Sequence, residues 1–193
     1  MNRPKQYNRE IILSEATNLF WERGFEETSI NDIVANTKVN TFSIYNEFGD
    51  KENLYIECID HYNNISRRYL EDILTRKPLG LTNIEAFLEE RVCHTVSKEI
   101  KGCLIFNSVI EEKVLSKKIN KKIDVRVAEI KSLIFKCLKS AQERKEISVN
   151  KDCKRLTNYL VCFVFGLINI GMKDATEGDL RNIANDALLS IKS

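Results

Sequence analysis

Apolar residues recur every three or four positions along most of the chain, which is the spacing of amphipathic α-helices. Ile12, Ala16 and Phe20 belong to the first such stripe, and Gly24 follows where a helix often ends. Only 7 Gly and 2 Pro occur among 193 residues, fewer than a sheet-rich or loop-rich fold needs. The pattern therefore predicts an all-α protein of about nine helices, three small ones followed by a larger bundle.

Two short helices are predicted close together early in the chain. Thr28 or Ser29 can cap the first, and Asn40 can cap the second, expected over Thr41–Phe48. Two short helices joined by about four residues are typical of a helix-turn-helix, whose second helix enters the major groove of DNA. A longer helix is expected to follow directly from Lys51. The spacing therefore indicates a DNA-binding unit.

The same periodicity divides the rest of the chain into further helices. We expect residues 1–50 to form a helix-turn-helix DNA-binding domain and residues 51–193 a domain for ligand binding and dimerisation. After the first three helices, the predicted helical ranges are 51–74, 83–98, 103–111, 116–144, 151–173 and 177–191.

The helix predicted over residues 151–173 is apolar around most of its circumference. Because residues such as Leu160, Phe163 and Leu167 fill one side, a single core cannot bury the other side as well. Such a helix is either central in a core or shared between subunits, and we favour a homodimer. The residues expected at the dimer interface are Val161, Phe165, Ile168 and Met172.

The charge of the predicted DNA-binding segment is negative overall. The whole chain carries a formal net charge of +2, but residues 1–53 hold six Lys+Arg against nine Asp+Glu. This balance favours an alternative function, a helical protein-interaction or adaptor module that does not bind DNA. Local cations oppose it: Lys38 and Lys51 flank the second short helix, and Arg3 and Lys5 could form an arm that reaches DNA.

Several other classes of protein are disfavoured. No apolar run approaches the roughly 20 residues of a membrane span, and the N-terminus lacks a secretory apolar core, so we expect a cytoplasmic protein without a membrane partner. The six cysteines include no CxxC pair and are expected to be reduced thiols. No phosphate loop, dinucleotide fingerprint or HExxH motif occurs. We therefore expect no catalytic residues, no cofactor and no metal; an all-helical enzyme is the weakest alternative.

Two stretches of sequence carry a family resemblance. LFWERGFEETSINDI is followed by VNTFSIYNEFGDKENLY, in which Tyr45 and Phe48 precede an acidic cap and a Lys-Glu pair. Residues 9–55 thereby resemble the N-terminal domain of the TetR family of bacterial transcriptional regulators. KGCLIFNSVIE, at 101–111, resembles a Gly-Cys-Leu-x-x-Asn segment of one branch of that family. The resemblance implies a ligand-responsive repressor that binds a palindromic operator as a homodimer and is released by a small molecule.

The chain departs from the family pattern at two positions. Lys38 stands where Gly is common in the turn, so we expect a left-handed residue strained by roughly 1 kcal/mol. Phe42 stands where a small residue is usual near the start of the second short helix. Its ring could contact a thymine methyl or shift the docking of the helix, so the operator sequence does not transfer from relatives.

The second short helix supplies most of the residues expected to contact double-stranded DNA. Its outward side offers hydroxyls, an amide and an apolar ring to base edges, and a phenol and an ammonium resemble the family's phosphate-contacting pair. A solvated surface is the alternative for the base readers, core packing for Tyr45 and simple capping for Thr28. The expected contacts are Thr41, Phe42, Ser43 and Asn46 to bases, and Tyr45, Lys51 and Thr28 to phosphates.

A small-molecule effector, apolar or aromatic, is expected in the larger bundle, where aromatic side chains and a few polar groups suit such a ligand. A plain hydrophobic core is the alternative for each of these residues. For Cys103 a reactive thiol beside Lys101 competes with a small buried hydrophobe. The candidates for the pocket are Tyr62, Phe87, Cys103, Phe106, Asn107, Phe135, Tyr159 and Phe163.

Overall fold

The computed structural model describes residues 7–97, 102–173 and 175–192. Within these ranges the regular structure is entirely α-helical, which confirms the predicted fold class. Arg3 and Lys5, the expected arm, lie outside the described residues. The helices are α1 (Arg9–Glu27), α2 (Ile30–Thr37), α3 (Thr41–Phe48), α4 (Lys51–Thr75), α5 (Leu81–Val96), α6 (Leu104–Ile110), α7 (Lys117–Glu143), α8 (Cys153–Gly171) and α9 (Glu177–Lys192).

Side chains cap the beginning of each of the first three helices. The Asn8 side chain accepts a hydrogen bond from the Glu10 N–H at 2.9 Å, and Asn40 accepts one from the Ser43 N–H at 2.8 Å. Ser29 and Asp32 form a reciprocal capping box at the start of α2. Because free N–H groups at a helix start are costly when unpaired, these caps fix where α1, α2 and α3 begin.

The first of two units comprises Met1–Ile65 and Leu104–Ile123. Within it α1 packs against α2 and α6, and α2 packs against α3. The unit therefore includes α6, which lies well beyond the boundary predicted at residue 50; the functional division at that residue stays a prediction. Its core is formed by Ile12, Ala16, Phe20, Ile33, Ile44, Phe48, Leu54 and Tyr55.

The second unit comprises Ser66–Cys103 and Asp124–Ser193, and within it α5, α8 and α9 pack against one another. Asn83 fixes the loop before α5, because its amide donates to the carbonyls of Ile73 and Arg76 at 2.8 and 2.9 Å. The side-chain oxygen of Asn83 accepts from the Gly80 N–H at 2.8 Å. The core of this unit includes Ile84, Leu88, Val92, Leu160, Val164, Leu180 and Ala184.

The helix α8 is long and apolar. By length and composition it could cross a membrane, with a mean hydropathy of 1.2 over an 18-residue window. Core helices of soluble proteins pass the same test, and α8 packs against both α5 and α9. One third of that window is buried, so much of the apolar surface of α8 remains uncovered within the single chain.

Candidate nucleic-acid interface

The helix-turn-helix consists of α2, a three-residue turn and α3. Lys38 lies in the turn at φ 59° and ψ 14°, the left-handed conformation that the sequence predicted. Its N–H donates to the Val34 carbonyl at 2.9 Å and so closes the end of α2. The Thr37 hydroxyl donates to the Ile33 carbonyl and accepts from the Val39 N–H, at 2.8 and 3.2 Å. These bonds determine the direction in which α3 leaves α2.

The helix α3 has one buried side and one exposed side. Ile44 is 1% exposed and Phe48 5% exposed, and both lie in the core of the first unit. Phe42 is 80% exposed, although water around a free aromatic ring is unfavourable. The residues predicted to read bases share this outward side: Thr41, Phe42 and Asn46 are exposed and Ser43 is half-buried. Their contact with DNA stays a prediction.

Two of the three predicted phosphate contacts, Tyr45 and Lys51, lie on either side of the end of α3. Tyr45 is 46% exposed, so its phenol is accessible to solvent. Lys51, at the start of α4, is half-buried: its Nζ donates to the Glu26 carbonyl at 3.4 Å and lies 4.4 Å from the centre of the Phe25 ring. Burial lowers the pKa of Lys51, and the Glu111 carboxylate opposes that effect. The neighbouring backbone and ring thus hold the ammonium in place.

Thr28 requires a correction. The residue is fully buried, and its hydroxyl donates to the Gly24 carbonyl at 2.7 Å. Its hydroxyl also lies 3.4 Å from the Leu19 carbonyl. A phosphate cannot reach a buried hydroxyl that is already bonded, so Thr28 joins the α1–α2 connection internally instead of contacting DNA. The cap of α2 is Ser29, the other residue that the sequence allowed.

Glu47 on α3 and Glu57 on α4 share one cation, Arg9, within the first unit. Glu47, on α3, accepts from the Arg9 Nε at 3.1 Å and from the Tyr7 hydroxyl at 2.9 Å. Arg9 also pairs with Glu57 on α4. Because Arg9 and Glu47 both belong to residues 1–53, their pairing leaves the net charge of that segment unchanged and fixes only where the two charges lie. Sequence periodicity missed this network, because its members are 38 or more residues apart.

The ligand-pocket candidates are divided between the two units, and their role stays a prediction. Tyr62 belongs to the first unit, where its ring packs against Trp21 with the ring centres 5.2 Å apart. Phe87 belongs to the second unit and is 2% exposed, as expected of a core residue. Two cavities of the second unit, of about 750 and 430 Å³, include none of the eight candidates except Tyr159. Phe106 and Asn107 lie in the first unit, and Cys103, Phe135, Tyr159 and Phe163 in the second.

The predicted dimer residues differ in exposure. Ile168 is 2% exposed and packs in the core of the second unit, so it cannot form part of a surface interface as predicted. Met172 is 42% exposed, and Val161 and Phe165 are half-buried. The largest exposed apolar side chains of α8 are Tyr159 and Ile170, at 40% and 51%. An apolar helix does not by itself show which of its sides the chain covers.

Comparison with known proteins shows which families and relatives this chain is similar to. Residues 12–58 match the family described as bacterial regulatory proteins, tetR family. The HTH-type transcriptional repressor ComR of Escherichia coli (strain K12) is 27% identical over 188 residues, covering 96% of this chain and 90% of ComR. The uncharacterized HTH-type regulator YezE of Bacillus subtilis (strain 168) is 23% identical over 162 residues, covering 83% and 84% of the two chains.

Solved structures share the fold over nearly the whole chain. A cysteine mutant of the TetR family regulator CifR, complexed with 26bp double-strand operator DNA, superposes with a TM-score of 0.87 at 22% identity. That match covers 98% of this chain and 100% of CifR. A TetR regulator from Chloroflexus aurantiacus gives a TM-score of 0.85 at 23% identity, covering 95% and 93%.

The exposed side of α3 and these matches define a DNA-binding transcriptional regulator of the helix-turn-helix class. Residues 12–58 of the chain match the TetR family of bacterial regulatory proteins, and the relatives over the longer alignments are HTH-type regulators as well. Members of this family are regulators and not enzymes, in agreement with the prediction from the sequence.

Proposed function

We propose that this protein is a repressor that binds a palindromic operator as a homodimer and is released by a small molecule. The observation that carries the proposal is the outward side of α3, where Phe42 is 80% exposed beside the exposed Thr41 and Asn46. A hydroxyl, an amide and an apolar ring on one accessible helix side match the groups that read base edges in the major groove. The relative ComR is named as a repressor, and CifR is described in complex with operator DNA.

The proposed dimer sets the spacing of the DNA contacts. Each subunit offers one α3, and a two-fold axis would place the two copies about 34–36 Å apart, one turn of the duplex. We propose that the uncovered side of α8 contributes to the interface, since Tyr159 and Ile170, which share one side of the helix, expose apolar groups there. A Cβ added at Gly166 would meet no atom within 4 Å, so a partner helix has room to approach closely.

Release by an effector requires that the effector prefer the conformation that does not bind DNA. A tenfold preference corresponds to about 1.4 kcal/mol of coupling per site. We propose that an effector bound in the second unit shifts α4, which runs from the first unit into the second, and so changes the separation of the two α3 helices. A regulator of this kind acts on the chromosome, and we propose a cytoplasmic location.

Salt dependence of DNA binding tests the proposal against the adaptor alternative. Binding to a fluorescent random-sequence duplex and to fragments selected from the source genome is measured over a range of salt concentrations. A regulator should bind both, with affinity that falls steeply as salt rises and with a preference for the selected fragments. An adaptor, which the negative charge of residues 1–53 favours, should show no salt-dependent binding to either duplex.

A further inference from the structure

The carboxylate of Glu111, just after α6, binds the backbone at a break in α1. Gly24 has φ 83° and ψ 175°, so the helical geometry is interrupted at that residue. The Phe25 N–H donates to Glu111 Oε1 at 3.0 Å and to Oε2 at 3.1 Å, and the Glu26 N–H lies 3.4 Å from Oε1. Two consecutive N–H groups that follow the break thus share one anionic acceptor.

Gly24 permits this contact in two ways. Its positive φ is a conformation that glycine adopts without steric cost. A Cβ at this position would lie 2.5 Å from Glu111 Oε1, closer than atoms can pack. The carboxylate therefore approaches the α1 backbone more closely than any other residue at position 24 would allow.

The segment that Glu111 holds is also the segment that holds Lys51. Lys51 Nζ donates to the Glu26 carbonyl at 3.4 Å and lies 4.4 Å from the centre of the Phe25 ring. That ring is in turn fixed against Tyr55, with ring centres 4.9 Å apart. The Phe25–Glu26 segment therefore contacts both residues. Its two N–H groups bind the Glu111 carboxylate, and the Glu26 carbonyl and the Phe25 ring contact the Lys51 ammonium.

We propose that Glu111 is a positioning residue for DNA binding, which fixes the Phe25–Glu26 segment and thereby the Lys51 ammonium. This inference rests on the proposed contact of Lys51 with a phosphate. Glu111 acts through the segment and does not itself touch DNA. The negative charge of Glu111 makes this role testable. A carboxylate near phosphates repels them, so removing it should strengthen DNA binding if charge alone mattered.

The test combines Glu111→Gln with Lys51→Ala in a double-mutant cycle. Binding of a random-sequence duplex of about 30 base pairs is measured by fluorescence anisotropy at several salt concentrations. Glu111→Gln should weaken binding about 3- to 10-fold and reduce the salt slope by about 0.9, the value of one phosphate contact. In the Lys51→Ala background the same change should alter the affinity by less than about twofold.

Two matched variants distinguish the positioning effect of Glu111 on DNA affinity from the effect of its charge and from a general loss of stability. Glu112→Gln removes the same charge from an exposed neighbour whose carboxylate forms no hydrogen bond or ion pair among the described residues, and should leave binding unchanged or slightly stronger. Thr157→Ala removes the buried hydrogen bond from the Thr157 hydroxyl to the Cys153 carbonyl, 2.8 Å long, in the second unit as a structural control. Its effect on DNA affinity should be equal with and without Lys51.

The outcomes distinguish this inference from the proposed function. If Glu111→Gln strengthens binding, or weakens it equally in both backgrounds, the positioning role is overturned while DNA binding stands. If the unmodified protein shows no salt-dependent binding, the proposed function itself fails. Thermal unfolding confirms that each variant is folded at the assay temperature. If the Glu111→Gln variant is unfolded at that temperature, Glu111→Asp is measured in the same cycle, with the same expected result. This change keeps the charge and shortens the side chain by one methylene.

Discussion

At the scale of single residues, the exposed side of α3 carries side chains that we expect to read bases beside a side chain that we expect to contact phosphates. Asn46 and Tyr45 are neighbours, both exposed, yet their chemistry differs. An amide can form two hydrogen bonds with adenine, which no other base matches, whereas a phenol on a phosphate oxygen meets the same group at every step. Neighbouring substitutions should therefore have different effects on specificity.

We predict that Asn46→Ala relaxes the preference at one base position, by about 1–3 kcal/mol in discrimination, and leaves the other positions unchanged. Tyr45→Ala should weaken binding to all sequences by a similar factor. The measurement is affinity for a selected operator and for variants with each base pair changed in turn. Asn31→Ala, an exposed amide on α2, is the control. Identical specificity profiles for the Asn46 variant and the unmodified protein would remove Asn46 from the readout.

His94, on α5, makes stability depend on pH. Burial, and then the charge of nearby Arg91, lower the pKa of His94 to about 4, and its Nδ1 has no hydrogen-bond partner among the described residues. Since the unfolded pKa is about 6.5, the unfolded state binds the proton more tightly. The neutral ring thus contributes stability above about pH 6.5, and this contribution is lost as the pH falls towards 4.

We predict that His94→Gln flattens this dependence. Between about pH 7 and pH 5, the Tm of the unmodified protein should fall further than that of the variant, by about 2–4 °C for each 1 kcal/mol that the histidine contributes. His61→Gln, at the other of the 2 histidines, is the matched control. Parallel pH profiles for His94→Gln and the unmodified protein would show that His94 is not the group responsible.

At the scale of elements, the turn between α2 and α3 holds a lysine in a conformation that favours glycine. Lys38 has φ 59°, and its side chain is exposed. A left-handed residue with a Cβ costs about 1–2 kcal/mol, whereas glycine adopts the conformation freely but loses more entropy on folding. The net strain in the turn is therefore modest.

We predict that Lys38→Gly stabilises the protein by roughly 0.5–1 kcal/mol, which corresponds to a rise in Tm of up to about 4 °C. Lys38→Ala removes the same charge and keeps the Cβ, so it should give no such gain. Both are compared by thermal unfolding. If the two variants unfold at the same temperature, the backbone at position 38 is not strained. Lys38→Gly should at the same time weaken DNA binding slightly if the lysine lies near phosphates.

The sequence predicted elements well because the signals for them are local. Apolar spacing and caps such as Asn40 lie within one or two turns of the helix that they define, and the left-handed position of Lys38 follows from the turn itself. Partners distant in sequence carry no such signal: Glu111 binds Phe25 across 86 positions. Ile168 was misplaced because the apolar pattern of α8 does not reveal which side meets α5 and α9.

The same limitation affects the candidate site. The exposed side of α3 follows from its periodicity, so the placement of Thr41, Phe42 and Asn46 could be predicted. The inward position of Thr28 could not be predicted, because a threonine before a helix can equally cap the helix or turn inward. Only the bond from its hydroxyl to the Gly24 carbonyl distinguishes the two cases. The aromatic pocket candidates stay a prediction, since core and pocket aromatics have the same sequence pattern.

At the scale of the whole molecule, one chain presents one α3, and a single short helix reads too few base pairs for a specific operator. Two copies on a two-fold axis add their base contacts and bind with far higher affinity at the correct spacing. The apolar side chains that α8 leaves exposed, Tyr159 at 40% and Ile170 at 51%, are the surface that such pairing would cover.

We predict that Ile170→Glu yields monomers, because two carboxylates would be buried at a symmetric contact without partners. Sedimentation velocity should show a species of one chain, and affinity for a two-site operator should fall at least about 100-fold, while weak binding to random DNA persists. Val149→Glu adds the same charge at a residue that is 71% exposed and lies outside the helices, and should leave the dimer intact. An Ile170→Glu variant that still sediments as a dimer would move the interface away from this side of α8. The predicted contact of Phe165 would then need its own charge substitution to be tested.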